Sequence, residues 1–473
     1  MLAGMSQSEA LRPHRPMLWL VAAAVFMQML DTTIVNTALP AMAASLDQSP
    51  LRMQAVVVAY ALTVAVLIPA SGWLADRFGT RRVFLAAIVV FTAGSLACAL
   101  SQTLQALVAA RVLQGVGGAM LLPIGRLAVL RAVPRTEFLA AMTFVTVPGL
   151  IGPLIGPSLG GWLVEVASWH WIFLINLPLG IAGALATLRL MPDLRAAVSR
   201  FDLLGYCLLA FGMAAVSLSV DALSGHAAHG AALVVLLVAG LGALVAYWLH
   251  AARTAAPLFP LSLFRVRSFS VGVLGNLFAR LGSGGMPYLI PLLLQVGLGV
   301  APARAGMMMI PVVVAGMFSK RIVVPLVQRF GYRRVLVVNT VLTGLAMASF
   351  ALVQPGQPLW LQIVQFACFG AVNSLQFTAM NTLTLRDLDG EHASAGNGLL
   401  SMVMMLAMSL GVATAGGLLA AFGESGGGEP VIAAFRWTFV CVGVLTLVSA
   451  GIFAQLGRTR RIPEQAVGQA EQG

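Results

Sequence analysis

Arg77-Phe78-Gly79-Thr80-Arg81-Arg82-Val83 recurs as Arg329-Phe330-Gly331-Tyr332-Arg333-Arg334-Val335, 252 residues further along a chain of 473. Each copy is a basic island between long apolar runs. A helix needs about 20 apolar residues to cross about 30 Å of hydrocarbon. Working outward from the two islands, fourteen such runs are found, near 17–39, 54–75, 83–101, 104–127, 139–164, 171–191, 203–221, 231–250, 269–291, 304–324, 334–353, 358–381, 395–421 and 431–456. The first island follows the second run and the second island follows the tenth. An offset of eight runs, not six, implies two six-helix halves with two further helices set between them, as in carriers built from internal repeats. The expected architecture is an all-α polytopic membrane protein with a first bundle over 1–198, inserted helices over 199–252, and a second bundle over 253–473. The tenth run is the least regular, because Lys320 and Arg321 fall near its end. Residues 335–385 carry no charge, and Gln354-Pro355-Gly356-Gln357-Pro358 divides them by turn chemistry.

Composition agrees with lipid as the solvent. The chain is 59% hydrophobic and only 9% charged, with mean hydropathy +0.93, whereas a soluble chain carries roughly a quarter charged residues. The net charge of +12 would suggest nucleic acid in a soluble protein. Here 22 of the 28 basic residues fall on one side of the alternating runs, and only Arg52, Arg304 and Arg436 on the other. That bias reads as membrane topology, with both chain ends cytoplasmic and no nucleic-acid partner. Cys98, Cys207, Cys368 and Cys441 sit in separate apolar runs and read as small buried hydrophobes. The first run is too long for a cleavable leader and is expected to remain as a span.

A charge placed at the bilayer centre costs at least about 2.5–3.5 kcal/mol, so such residues are functional candidates. Of the 16 acidic residues, Asp31 is the one well inside a run, while Glu165 lies at a helix end. Asp31 lies ~13 Å of helix from the outer end of span one, and Arg111 ~10 Å from the outer end of span four, so a facing ion pair is permitted. Gln28, Asp31 and Thr32 follow i, i+3, i+4 spacing and form one polar stripe. The second half has no matching acid. It has Arg280 with Asn276 one turn earlier, and Asn373, Gln376 and Asn381 on span twelve. Arg126 lies near the cytoplasmic end of span four. One carboxylate among several arginines makes a cavity that is neutral to positive, which favours a neutral or anionic solute over a dication. Gly149, Gly152, Pro153, Gly156, Pro157, Gly160 and Gly161 give span five the small residues of close helix packing and the prolines of a kink. Met307, Met308, Met309 and the cluster Met402–Met408 could form an adaptable drug surface, with ordinary apolar packing the commoner reading. There is no GxxxxGK[ST] phosphate loop and no HExxH, so no nucleotide, metal or other cofactor is expected.

At this point the residues resemble a family: the fourteen-span drug:proton antiporters of the major facilitator superfamily. Leu30-Asp31-Thr32-Thr33-Ile34-Val35-Asn36-Thr37-Ala38-Leu39-Pro40 is similar to that family's first-span pattern. Gly72, Asp76, Arg77, Gly79, Arg81 and Arg82 resemble its loop signature. Arg111, Gln114, Gly115, Gly117, Gly118 and Ala119 resemble its fourth-span pattern, and Gly152, Gly156, Pro157, Gly160 and Gly161 its antiporter helix. Trp169-His170-Trp171-Ile172-Phe173-Leu174-Ile175-Asn176 is typical of the branch. The resemblance implies a transporter and not an enzyme, in a bacterial inner membrane, taking protons and a small molecule as partners and working as a monomer. It implies Asp31 as the proton site with Arg111 as its coupling partner. It also implies a cytoplasmic gating loop of Gly72, Asp76, Arg77, Gly79, Arg81 and Arg82, repeated by Arg329, Gly331 and Arg333. Two departures stand out: Thr80 occupies a position that is often basic, and Gln328 stands where the first copy has Asp76. Gln28, Thr32, Asn36, Gln114, Arg126, Asn276, Arg280, Asn373 and Gln376 are the candidates for a substrate cavity. Proton-coupled efflux of drug-like molecules is the leading expectation. Export of an anionic metabolite or metal chelate of the citrate kind, and a non-transporting receptor on the same fold, are the alternatives.

Overall fold

A computed structural model describes residues 14–134, 136–196, 200–223, 230–388, 390–425 and 431–456. Among these residues the regular structure is helical throughout, with no strand. Thirteen helices are long and apolar enough to cross a bilayer, and one of them, Pro302–Leu352, has 51 residues. At about 1.5 Å per residue it would run to ~75 Å, far more than one hydrocarbon thickness. Gly331 breaks it, with φ +77° and ψ 155°. Its counterpart Gly79 has φ +92°. Both copies of the basic island therefore turn the chain on a glycine in the left-handed region, where a side chain is disfavoured.

Dividing the long helix there yields fourteen spans. They are α1 Arg15–Ser45, α2 Pro50–Phe78, α3 Thr80–Ala99, α4 Leu104–Ala132, α5 Phe138–Val166, α6 Trp171–Leu190, α7 Leu203–Leu223, α8 Gly230–Arg253, α9 Arg267–Gly297, α10 over 302–330, α11 over 332–352, α12 Leu359–Arg386, α13 Gly390–Ser425 and α14 Val431–Ala454. Lys320 and Arg321 do not end span ten, since the helix continues through both. Arg304 and Arg436, expected in loops, lie in the first turn of α10 and the second turn of α14. The cysteines are all free, but only Cys98 is buried; Cys207 and Cys368 are exposed on helices whose outer faces meet lipid.

The repeat is visible in the packing. In the first half α1 packs on α5, α3 on α4 and α3 on α6. In the second half α9 packs on α13 and the 39-residue segment holding α11 packs on α12 and α14. The hydrophobic cores are not distributed evenly. At the end remote from the basic loops a single core joins the halves, with Ile34, Leu39 and Phe173 packed among residues that include Tyr288, Leu293, Phe366 and Phe439. At the basic end two cores each belong essentially to one half, beside a third around the inserted pair. One is built from Leu18, Phe84, Ile124 and Val129, with Met405 its one contributor from beyond residue 191. The other, with Leu336, Leu383 and Phe453, takes nothing from the first half. The molecule is thus shut at the far end and parted at the basic end.

The inserted pair belongs mainly with the second half: Leu209, Met213 and Tyr247 share a core with Phe259, Phe269, Leu399 and Met402. Asp202, just before α7, anchors this pair. It meets His250 Nε2 at 2.8 Å and accepts from the N–H groups of Gly205 at 2.9 Å and Leu258 at 3.1 Å. Burial works against the Asp202 carboxylate, but these donors hold it below the usual carboxylate range.

The glycines of α5 set its distance from α1. A Cβ on Gly152 would lie 2.8 Å from the Leu30 nitrogen, and one on Gly160 2.6 Å from the Ile34 carbonyl oxygen. Gly161 and Gly306 interlock across the far-end seam, each abutting the backbone carbonyl of a proline on the other helix, Pro302 and Pro157. Gly160→Val is therefore expected to lower stability by about 1–3 kcal/mol through overpacking. Gly242→Ala, at a position with nothing within 4 Å of an added Cβ, is expected to stay within about 0.5 kcal/mol of the parent. Thermal unfolding in detergent, followed by tryptophan fluorescence, checks both.

Candidate functional site

α1 carries Asp31 with no exposure at all. The glycines of α4 explain how its partners reach it. A Cβ on Gly94 of α3 would lie 2.5 Å from the Gln114 backbone, one on Gly115 2.8 Å from Thr63 of α2, and one on Gly118 2.5 Å from the Tyr60 hydroxyl. With α2, α3 and α4 drawn this close, the long side chains of Arg111 and Gln114 point back toward α1.

Arg111 Nη1 donates to Asp31 Oδ2 at 2.8 Å, and Gln114 Nε2 donates to Asp31 Oδ1 at 2.8 Å. Asn176 Nδ2 of α6 reaches the same Oδ1 at 3.3 Å. Arg111 also donates through Nη1 to Gln114 Oε1 at 2.5 Å and through Nε to the Val56 carbonyl at 3.3 Å, and its guanidinium lies 4.3 Å from the Tyr60 ring centroid. Ser95 of α3 accepts from both Gln114, at 2.7 Å, and Asn176, at 3.2 Å. The result is a network drawn from five helices, in which Asn176 Oδ1 and the Tyr60 hydroxyl are left without a hydrogen-bond partner. A buried ion pair holds only when its remaining donors and acceptors are satisfied, which these amides and hydroxyls do.

Sequence reading paired Asp31 with Arg111 but missed Asn176, Ser95 and Tyr60. Asn176 lay within a quoted motif, yet no spacing rule links α6 to α1. Of the remaining cavity candidates, Gln28 and Asn36 are buried on α1, and Thr32 hydrogen-bonds the Gln28 carbonyl at 2.8 Å. Gln376 is engaged at both ends, accepting from Asn339 at 2.8 Å and donating to Thr340 at 2.7 Å. It ties α12 to α11 and presents no free amide in this conformation. Asn276 is buried beside Thr384 of α12, its Oδ1 without a partner. Arg280 faces Phe377 of α12, 4.5 Å from the ring centroid, with Nε and Nη2 buried and unpartnered. Asn373 is one turn before Phe377 and partly exposed, as is Arg126 on α4. Asp221 was read as the end of a run; it lies inside α7 and is hydrogen-bonded there, so Asp31 is not the only acid within a span.

At the basic end Asp76 pairs with Arg131 of α4, not with the loop arginines. The loop grips the chain after α6 instead. Thr80 Oγ1 donates to the Pro192 carbonyl at 2.7 Å and accepts from Leu194 N–H at 3.1 Å, while Arg81 Nε donates to the Met191 carbonyl at 2.5 Å. Thr80 is fully buried, so a basic side chain would not fit this arrangement. Arg77 lies against Trp73 and Phe78, and Arg82 is exposed. In the second copy Arg329 lies over Phe330, and Arg386 forms a forked pair with Asp387 at 2.7 Å beneath Tyr332. The two islands share a backbone turn and differ in their ion pairs.

These features define a polytopic carrier with two repeated halves and a buried charge pair in the first. The sequence matches the Major Facilitator Superfamily over residues 21–412, and again over 272–472, and the chain belongs to that family. It is similar to the "Putative multidrug resistance protein MdtD" of Serratia proteamaculans, with 54% identity over 442 residues covering 93% of each chain. It is likewise similar to the protein of the same name from Cronobacter sakazakii, with 55% identity over 445 residues covering 93% of this chain and 94% of that one. Among solved structures, the fold resembles a D-xylose–proton symporter, with TM-score 0.65, 13% identity and coverage of 93% and 97%. It also resembles the nucleoside transporter NupG, with TM-score 0.64, 14% identity and coverage of 92% and 98%.

Removing one member of the buried pair leaves a stranded charge. Arg111→Leu is expected to cost about 3–5 kcal/mol, and Asp31→Leu/Arg111→Leu together less than Arg111→Leu alone. Thermal unfolding of the purified variants checks the order.

Proposed function

We propose that the chain is a proton-coupled exporter of drug-like small molecules in a bacterial inner membrane, with Asp31 as the proton site. The observation that carries this reading is the buried Asp31–Arg111 pair at 2.8 Å, an ion pair held out of solvent inside a span. The name borne by relatives at 52–55% identity supports drugs as the cargo. The basic end faces the cytoplasm in this assignment, as its arginine excess favours, so the structure corresponds to an inward-open carrier. Residues 1–198 and 253–473 are the rocking bundles, 199–252 the inserted pair, and the working unit is a monomer.

The coupling follows from charge balance. A proton arriving on Asp31 cancels the carboxylate and leaves Arg111 as an unpaired cation in a dry network. Arg111 then turns toward the cavity or toward Tyr60, and the helices it ties together are released. Loss of the proton restores the pair and re-forms the network across α1, α2, α3, α4 and α6. Gln114 and Asn176 keep the carboxylate oriented between these events. The Asp76–Arg131 pair and the grip of Thr80 and Arg81 on 191–194 brace the cytoplasmic end of the first bundle. The glycine seam of α5 and α10 closes the outer end. One proton moved through 100 mV supplies about 2.3 kcal/mol, enough for a roughly 45-fold solute gradient.

A second reading concerns the cargo alone. The unpartnered Arg280 guanidinium beside Phe377 and Asn373 suits an anionic or aromatic acid.

In proteoliposomes with an imposed pH gradient, Asp31→Asn is expected to abolish gradient-driven ethidium efflux while the protein remains folded; undiminished efflux would refute the proton assignment. Arg280→Ala is expected to leave ethidium transport within about threefold and to lower transport of a labelled organic acid more than tenfold, on the scale of a lost charged hydrogen bond. Equal effects on both cargoes would rule out the anion reading.

A further inference from the structure

The two inserted helices have so far been an addition to the fold without a task. α7 lies in the trough between α2 of the first half and α13 of the second, touching both. In its last turns, at the closed end, two buried polar contacts point in opposite directions. Ser217 and Ser409 of α13 share a hydrogen bond of 2.9 Å, and neither is exposed. One turn later, Asp221 Oδ1 accepts from Gln54 Nε2 of α2 at 3.1 Å. Gln54 is 6% exposed, and its amide fills the space that a side chain on Gly416 of α13 would need. Tyr288 of α9 is fully buried close to Asp221, with its hydroxyl unpartnered. Four helices from all three parts of the chain therefore meet around the Gln54–Asp221 contact.

The two contacts cannot both survive opening of this end, because opening separates α2 from α13. The apolar packing decides which one yields. Leu209 and Met213 of α7 share their core with Leu399 and Met402 of α13, to which the first half adds the partly buried Val66, so α7 travels with the second half. The breakable contact is then the one to the first half. It is also the one made by a carboxyl group, where the contact to the second half joins two hydroxyls.

The geometry points to Asp221 as a further positioning residue of the transport cycle: carried on the inserted helix, it latches Gln54 of the first half and holds the α2–α13 seam of the far end shut. The inserted pair is thereby a strap fixed to one bundle and hooked to the other. Gly416 is the site that allows the hook to seat. This inference rests on the alternating-access reading above, but not on the identity of the cargo or on Asp31.

The test is a distance measurement across the closed end. Spin labels on Arg52→Cys and Arg436→Cys, with the four native cysteines replaced by alanine, report the opening of this end by electron–electron resonance in nanodiscs. The wild-type background is expected to show a dominant short distance and a minor long one. Asp221→Ala and Gln54→Leu should each raise the long population about fivefold, the scale of one net hydrogen bond. The double variant should do no more than either single change, since both remove one shared contact. Asp221→Glu should restore the short distance. A long population that is present in wild type and unmoved by either variant overturns the latch alone. Absence of any long population in wild type and variants overturns both the latch and the alternating-access reading.

Discussion

A carboxylate and a guanidinium held out of water decide much of how the first half must be built. Each charge is too costly to bury alone, so each needs the other, and both need donors and acceptors for the bonds they do not share. Asp31 takes three donors from three side chains, and Arg111 spends its remaining capacity on a carbonyl, an amide and an aromatic face. That demand explains why five helices converge on one level of the bilayer. It also explains the glycines of α4, since any side chain at Gly115 or Gly118 would hold α2 away from the network. The same interaction that organises the bundle is one that a single proton can undo.

Closure at the far end has a different physical character. There the halves meet through the shared apolar core together with backbone contacts and amides, and among the described residues no ion pair joins them: Gly161 lies against Pro302, Gly306 against Pro157, Gln295 Nε2 on the Thr37 carbonyl at 2.9 Å, and Ser158 on the Gly306 carbonyl at 3.2 Å. Glu165 adds a bond to the Ala303 N–H at 3.1 Å. Small residues give van der Waals contact in lipid without a large desolvation cost on separation. A seam of that kind suits surfaces that must part and rejoin, whereas the apolar cores within each half carry the permanent packing.

The second half is not a copy of the first in its chemistry. It keeps the glycine turn at Gly331 and the helix pairings, but its buried polar residues serve other ends. Gln376 and Asn339 tie α11 to α12, while Arg280 has an aromatic neighbour and no acid. One half therefore carries a neutralised pair and the other a bare cation. The field between them is therefore asymmetric, a property of the whole molecule that neither half has alone.

The spans, their number and the repeat were legible in the chain because hydrocarbon imposes a length and glycine imposes a turn, and both leave marks at fixed spacing. Asp31 and Arg111 were legible for a related reason: an ionisable residue in a long apolar run stands out whatever it touches. Asn176, Ser95 and Tyr60 were not, because an uncharged polar side chain in a span carries no such signal and its partner is set by which helix faces which. Asp76 went to Arg131 and not to the nearby loop arginines for the same reason. Asp221 looked like the end of a run, and only the packing of α7 against α2 and α13 shows it inside the molecule beside Gln54. Local chemistry along the chain determined which segments cross the membrane; the direction in which each buried polar group points depended on helix rotation and approach, which only the tertiary fold decides.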